Sequence, residues 1–370
     1  MSSARVFSFG DLGILVESVE RSHLVWLEEF LEPQFETQAA GAHACRVCLV
    51  EDRVRYDEAM AAGSAGGTLD AFALDTSVVS LPRWRGATTR LLDAQREVFY
   101  DIIGGPPLAI TILSVPGNLK GRTALMRVVR ELATNHAQRA GGLLLHASAF
   151  ALGGQGVIVG GPKEVGKTTL LIHALRATSV EYVSNDRILV QPGAAPRARG
   201  VPTIVKLRQG TLDQFPALAR RLATTGYYQR LTLEEAAARP APSAGQRSDA
   251  PRLSPAQLCR LLGVRARAEC EIAVLVFPKV TGEPGVFTVE RLSPAEVAVR
   301  LEGAFFGIQP GRWASEVFTP GGEPPPPDRA ALAARGRALA DHVRGVECRL
   351  GLNAYKSAQA AADLVGAVLG

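Results

Sequence analysis

The chain is 370 residues long, 47% apolar and 21% charged, with a net charge of +5. That length and apolar content allow two domains with substantial cores. The mild positive excess, without an Arg/Lys run interleaved with aromatics, argues against nucleic-acid binding. No uncharged apolar run nears the ~18 residues of a membrane span, and MSSARVFSFGDLGILVES lacks a long apolar core behind basic residues. Neither a membrane segment nor a signal peptide is expected, and a cytoplasmic protein is.

Residues 5–18 alternate apolar and polar and predict a strand, and 23–38 (HLVWLEEFLEPQFETQ) predict an amphipathic helix that Pro33 ends or kinks. Strand-like runs follow at 44–50, 71–81, 96–103 and 108–114, separated by Gly, Pro and charged turns. Residues 1–118 therefore read as a smaller, mainly β (α+β) N-terminal domain for substrate or partner binding, and 119–370 as a second, α/β domain. The five cysteines, Cys45, Cys48, Cys259, Cys270 and Cys348, are odd in number and scattered, which argues against a disulfide framework. Cys45-x-x-Cys48 lies in a strand-like run with no second pair to complete a zinc site, so small buried apolar residues are expected.

Residues 121–139 predict a helix and 143–150 (LLLHASAF) a strand. Leu152-Gly153-Gly154-Gln155-Gly156 predicts a tight turn into a second strand, so an antiparallel hairpin is expected to lead into GVIVGGPKEVGKTTLLIHAL. There Gly161-Pro162-Lys163-Glu164-Val165-Gly166-Lys167-Thr168 fits the phosphate-binding pattern G-x-x-x-x-G-K-[ST], after the apolar strand Val157-Ile158-Val159 and before a helix with Leu170, Leu171, Ala174 and Leu175. Gly161 and Gly166 let backbone N–H groups face phosphate oxygens, the helix N-terminus adds partial positive charge, Lys167 reaches the β- and γ-phosphates and Thr168 reaches Mg²⁺. Thr169 completes the predicted nucleotide-binding set.

VEYVSNDRILV (180–190) predicts a strand with an acidic end. Its Asp186 lies 19 residues after Lys167, the distance of a helix and a return strand, and a carboxylate there can hold Mg²⁺. His146, paired beside the loop strand by the hairpin, is a candidate phosphate contact, metal ligand or proton carrier. Further on come a strand at 203–207, a helix at 211–222, a mobile loop near 236–254, strands at 272–280 and 287–292, an extended spacer at the prolines 324–327, a helix at 329–344, a short strand and a terminal helix at 355–369.

LLLHASAFALGGQGVIVGGPKEVGKTTL followed by YVSNDRIL resembles the HPr kinase/phosphorylase family and the related ATP-dependent phosphoenolpyruvate carboxykinases. The resemblance covers about 143–190 well. It implies that family's P-loop domain with a mixed sheet and an antiparallel hairpin at the loop. It also implies ATP and Mg²⁺ as cofactors, phosphoryl transfer to a hydroxyl, and a tendency to homo-oligomerise. Carried over, His146 lies on the phosphate or metal side, and Asp186 matches the second, metal-side carboxylate of the family's Asp pair. The first Asp, thought to take the acceptor's proton, is Asn185 here, and an amide cannot be a general base. No acidic, glycine-rich signature follows Arg208, which points to a peptide or small-metabolite acceptor rather than HPr. The alternative is a nucleotide-binding regulatory or scaffold protein with weak or no kinase activity. The choice of ATP over GTP is left open by the sequence.

Overall fold

The computed structural model describes residues 3–63, 68–74, 77–84, 88–162, 164–240, 250–306, 312–313, 318 and 328–370. It is a mixed α/β structure with mixed sheets. The chain divides into two compact units, residues 1–140 with 309–326, and residues 141–308 with 327–370. The boundary expected at residue 118 falls instead at Ala140. The physical reason is helix Lys120–Arg139, whose buried Leu125, Val128, Val129 and Leu132 pack onto the first unit's helix Arg21–Leu31 and strands Cys45–Glu51 and Leu108–Ser114.

The first unit is built on a ten-stranded sheet. The expected single strand over 5–18 is a hairpin, Ser3–Phe9 with Leu12–Ser18, turning at Gly10. Leu12–Ser18 runs parallel to Cys45–Glu51, and that strand parallel to Leu108–Ser114. Helix Arg21–Leu31 stops before Pro33, because proline removes an N–H and biases the residue before it to the extended conformation that Glu32 adopts (φ −73°, ψ 148°). Residues 36–38 are an edge strand rather than a helix end. Helix Arg53–Gly63 was not foreseen. Trp26, Leu27 and Phe30 are buried to 1% exposure or less, and burial of each such side chain contributes about 1.5–3 kcal/mol.

The second unit has a sheet in the order Leu143–His146, Arg187–Gln191, Arg197–Val201, Glu269–Val280, Gln155–Val159, Ser148–Leu152, Val180–Ser184. Arg344–Leu350 joins Glu269–Val280 in parallel, and Phe287–Leu292 joins Arg344–Leu350 antiparallel. Alternation along each strand covers both faces. Val157, Val159, Val274 and Val276 face a core shared with Leu170 and Leu171 of helix Lys167–Ala174. Ile158 and Leu275 face a core shared with Val297 and Leu301 of helix Pro294–Glu302 and Leu339 of helix Arg329–His342.

Three expected elements of the second unit are broken in two, as is the expected strand 71–81 of the first, which becomes Thr68–Leu74 and Ser77–Trp84. Residues 143–150 split at Ala147, 180–190 split at Asn185-Asp186, and 211–222 split into helices Gln209–Gln214 and Pro216–Ala223. Strand 203–207 shrinks to Val205–Lys206, and Arg197–Val201 is a strand that the sequence reading missed. The expected mobile stretch 236–254 is ordered at both ends. Helix Leu233–Ala238 runs into it, and Arg252–Leu253 pairs with Val205–Lys206 before Ser254 caps helix Pro255–Leu262. Its centre, 241–249, and the prolines 324–327 lie outside the described residues. All five cysteines are free thiols, and all but Cys48 are buried. Among the described residues no helix is long and apolar enough to cross a membrane.

Candidate functional site

The hairpin leading into the glycine loop is Ser148–Leu152 with Gln155–Val159. The loop strand ends where Gly160 N–H donates to Val276 O at 2.9 Å. The backbone then takes positive φ at Gly161 (130°) and Gly166 (94°), conformations that L side chains rarely adopt, so both glycines are required. Glu164 is also at positive φ (75°), a strained setting for a side chain with a Cβ. Its carboxylate accepts from Arg208 Nη1 at 2.6 Å, and Arg208 is the N-cap of helix Gln209–Gln214. Thr169 Oγ1 and Thr211 Oγ1, 2.9 Å apart, tie that helix to the loop helix. Thr169 therefore has its hydroxyl engaged in packing, while half-buried Thr168 is the first-turn hydroxyl suited to a metal. Pro162 is exposed, Val165 is half-buried, and Lys163 lies outside the described residues.

Lys167 opens the helix and is buried. Its Nζ donates to the carbonyls of Gly161 (2.9 Å) and Pro162 (2.7 Å) in its own loop. Burial pushes its pKa down to about 8, against the pull of the Asp186 carboxylate, which favours the charged form. Among the described residues this buried ammonium is held by neutral carbonyls and has no charge paired within salt-bridge distance, an arrangement that can accept an anion.

Asn185 and Asp186 form the break between Val180–Ser184 and Arg187–Gln191. Asp186 O accepts from Ala147 N–H at 3.1 Å, fixing this break against the one at Ala147. The expected place of His146 is corrected here. It does not belong to the hairpin but ends strand Leu143–His146, paired opposite Arg187. The chain switches neighbours at Ala147, so that of residues 143–152 it is Ser148–Leu152 that pairs with the loop strand. His146 still reaches the site, with Nδ1 3.5 Å from Asp186 Oδ1 and its ring tilted on Phe306 at 5.5 Å.

Asn185 is buried, and its Oδ1 accepts from Tyr182 Oη at 2.8 Å and Thr203 Oγ1 at 3.2 Å, while Ser148 Oγ donates to its backbone carbonyl at 2.6 Å. Both side-chain hydroxyl hydrogens need an acceptor in this interior, which sets the orientation of the amide. Burial raises the Tyr182 phenol well above its usual range, so it stays a donor.

The structure thus brings Lys167, Asp186, Asn185 and His146 to one end of the sheet, beside the glycine loop. Sequence reasoning missed Tyr182 and Thr203 as the groups that hold Asn185, and the Arg208–Glu164 pair. Only the i, i+3 spacing of Tyr182 and Asn185 hinted at any of this. Among the described residues no group of three or more His, Cys, Asp or Glu side chains could hold a metal ion. Thr168 and Asp186 are a hydroxyl and a carboxylate, the oxygen donors a magnesium ion shares with substrate phosphates. In comparisons with known proteins, no family model and no curated protein matches this chain.

Proposed function

We propose that the chain is an ATP-dependent, HPr kinase-like phosphotransferase that moves the γ-phosphoryl group to a hydroxyl of a peptide or small metabolite. The observation that carries the reading is Lys167. It is buried at a loop with positive φ at both glycines, bonded among the described residues to the carbonyls of Gly161 and Pro162, and within the field of Asp186. Loop N–H groups and Lys167 bind the phosphates and stabilise charge on the transferring group. Mg²⁺, held by Thr168 and Asp186 together with phosphate oxygens, supplies charge neutralisation when bound. Asn185 orients the acceptor through its amide. His146, whose Nδ1 lies 3.5 Å from Asp186 Oδ1, takes the acceptor's proton. The loose transition state of phosphoryl transfer asks little of that base.

One observation favours the second reading, a nucleotide-binding regulatory protein with weak or no kinase activity. An amide occupies the position of the family's acceptor-side carboxylate, and Tyr182 and Thr203 hold it in place. The test is incubation with labelled ATP, Mg²⁺ and a panel of peptides and metabolites, with mass detection of a phosphate adduct. An adduct formed by the wild type and abolished in Lys167→Ala supports the kinase. Tight nucleotide binding with no adduct across the panel favours the regulatory reading. Absence of nucleotide binding overturns both.

A further inference from the structure

The loop contacts only the phosphates of a nucleotide, so its base and ribose must rest on whatever surface adjoins it. On the Glu164 side that surface is charged. On the Gly166 side it is apolar. Strand Glu269–Val280 runs parallel to the loop strand, pairs Val276 with Val159 and continues four residues further, past the start of the loop. A Cβ placed on Gly166 would lie 3.5 Å from Val280 Cγ2 and 4.0 Å from the Tyr355 hydroxyl. Val280 is 60% exposed, Val286 43% and Leu352 63%. Scattered exposed aliphatics are ordinary, but these three are joined by one backbone network. Val280 pairs with Leu350, Gly351 N–H donates to Val286 O at 3.0 Å, Leu352 N–H to Glu283 O at 3.1 Å and Asn353 N–H to Gly285 O at 2.9 Å. The result is a braced apolar ledge at the carboxyl ends of parallel strands, where ligands of open α/β sheets bind.

Tyr355 packs next to the same end of the loop. It is 8% exposed, its ring is held by His173 (5.2 Å) and Phe215 (5.7 Å), and among the described residues its hydroxyl has no hydrogen-bond partner. A buried hydroxyl is normally satisfied, and this one lies beside the last glycine of the loop.

We infer that the ledge formed by Val280, Val286 and Leu352 is the nucleoside subsite, taking the base and ribose of a nucleoside triphosphate whose phosphates lie in the glycine loop. The subsite rests on the nucleotide reading above. The base lies against the aliphatic side chains, in keeping with the mostly apolar lining of cofactor sites.

The test measures binding of Mg-ATP, Mg-GTP and inorganic tripolyphosphate to the full chain by calorimetry. The variants are neutral and at exposed positions, Val280→Thr, Leu352→Ser and the pair together. The wild type is expected to bind a nucleotide more tightly than tripolyphosphate. The double variant is expected to lose about 3- to 10-fold in nucleotide affinity, the magnitude of partial exposure of an apolar base face, while tripolyphosphate affinity stays unchanged. Tripolyphosphate binding the wild type as tightly as either nucleotide, or losing affinity in step with it in the double variant, overturns the subsite and leaves the phosphate loop standing. If the wild type binds none of the three ligands, the nucleotide reading itself fails and the subsite with it.

Discussion

In the first unit, charged side chains are matched to other side chains. Arg90 donates to both oxygens of Asp101 at 2.6 and 2.7 Å, and Arg96 pairs with Asp93. His23 accepts from Arg122 Nε at 3.1 Å and has Nε2 3.4 Å from Glu51 Oε1. Burial holds His23 below its usual pKa, with Glu51 opposing and Arg122 reinforcing the shift. In the second unit, the same kind of matching occurs away from the loop, where Arg300 donates to Glu347 at 2.6 Å. At the loop Glu164 is still matched by Arg208, but Lys167 departs from the pattern. Lys167 rests on two carbonyls of its own loop, in a backbone shape that would suit an anion. A charge closed on a tertiary partner serves the fold, whereas a charge held by nearby backbone dipoles can be handed to a ligand at little structural cost.

The largest expected effect tests that contrast directly. Lys167→Ala should weaken Mg-ATP binding by about 10²–10³-fold, since it removes the charged donor of the proposed phosphate site. Arg90→Ala, which opens a pair of the first unit, should leave that affinity within about twofold while lowering the melting temperature. Equal calorimetric affinities for wild type and Lys167→Ala would break the comparison.

Asp186→Asn comes next. It keeps the turn and removes the carboxylate, and adduct formation at limiting Mg²⁺ should drop by about 10²-fold. Full turnover at limiting Mg²⁺ would reassign Asp186 to its turn and to its hold on His146.

Two histidines near carboxylates then sharpen the difference between the units. His146→Gln should lower turnover toward about 10²-fold, the lower end for loss of a general base, with little change in melting temperature. His23→Gln should do the reverse, lowering unfolding free energy by about 1–3 kcal/mol through loss of a hydrogen-bond partner of buried Arg122, with turnover unchanged. An exchange of these phenotypes would show that the sheet break at Ala147 serves packing alone.

The smallest effect is the pH dependence of binding. Burial puts Lys167 at about 8 in the nucleotide-free protein, and phosphate oxygens favour its charged form, so the bound state has the higher pKa. Below about pH 8 the lysine is charged with or without ligand and affinity is level. Above it, binding must take up a proton, and affinity should fall by about tenfold per pH unit. The fall should disappear in Lys167→Arg, whose charge does not titrate in this range.

Much of the candidate site was legible in the sequence because its determinants are local. A glycine loop between an apolar strand and a helix is specified by residues within a few positions of one another, and positive φ at Gly161 and Gly166 is a property of that stretch. Asp186 could be read as well, since helix-and-return spacing counts residues along one chain path. The place of His146 could not. LLLHASAF carries the alternation of an unbroken strand, and nothing in it shows that the chain changes partners at Ala147. That switch is set by Asp186 O accepting from Ala147 N–H and by pairing with Arg187, contacts some forty residues distant in sequence.

The sequence by itself therefore determined the phosphate-loop motif, the strand-turn-strand that feeds it, the acidic return turn and the absence of a disulfide framework. Each depends on residue types at short spacing. Only the tertiary structure decided which side chains surround that loop. Tyr182 and Thr203 hold Asn185, Arg208 reaches Glu164, and Val280 and Tyr355 adjoin Gly166. It also decided that helix Lys120–Arg139 belongs to the first unit. The physical reason is that these contacts follow from strand order and packing between distant segments. Apolar patterning states that such surfaces will be buried, but not against which neighbour.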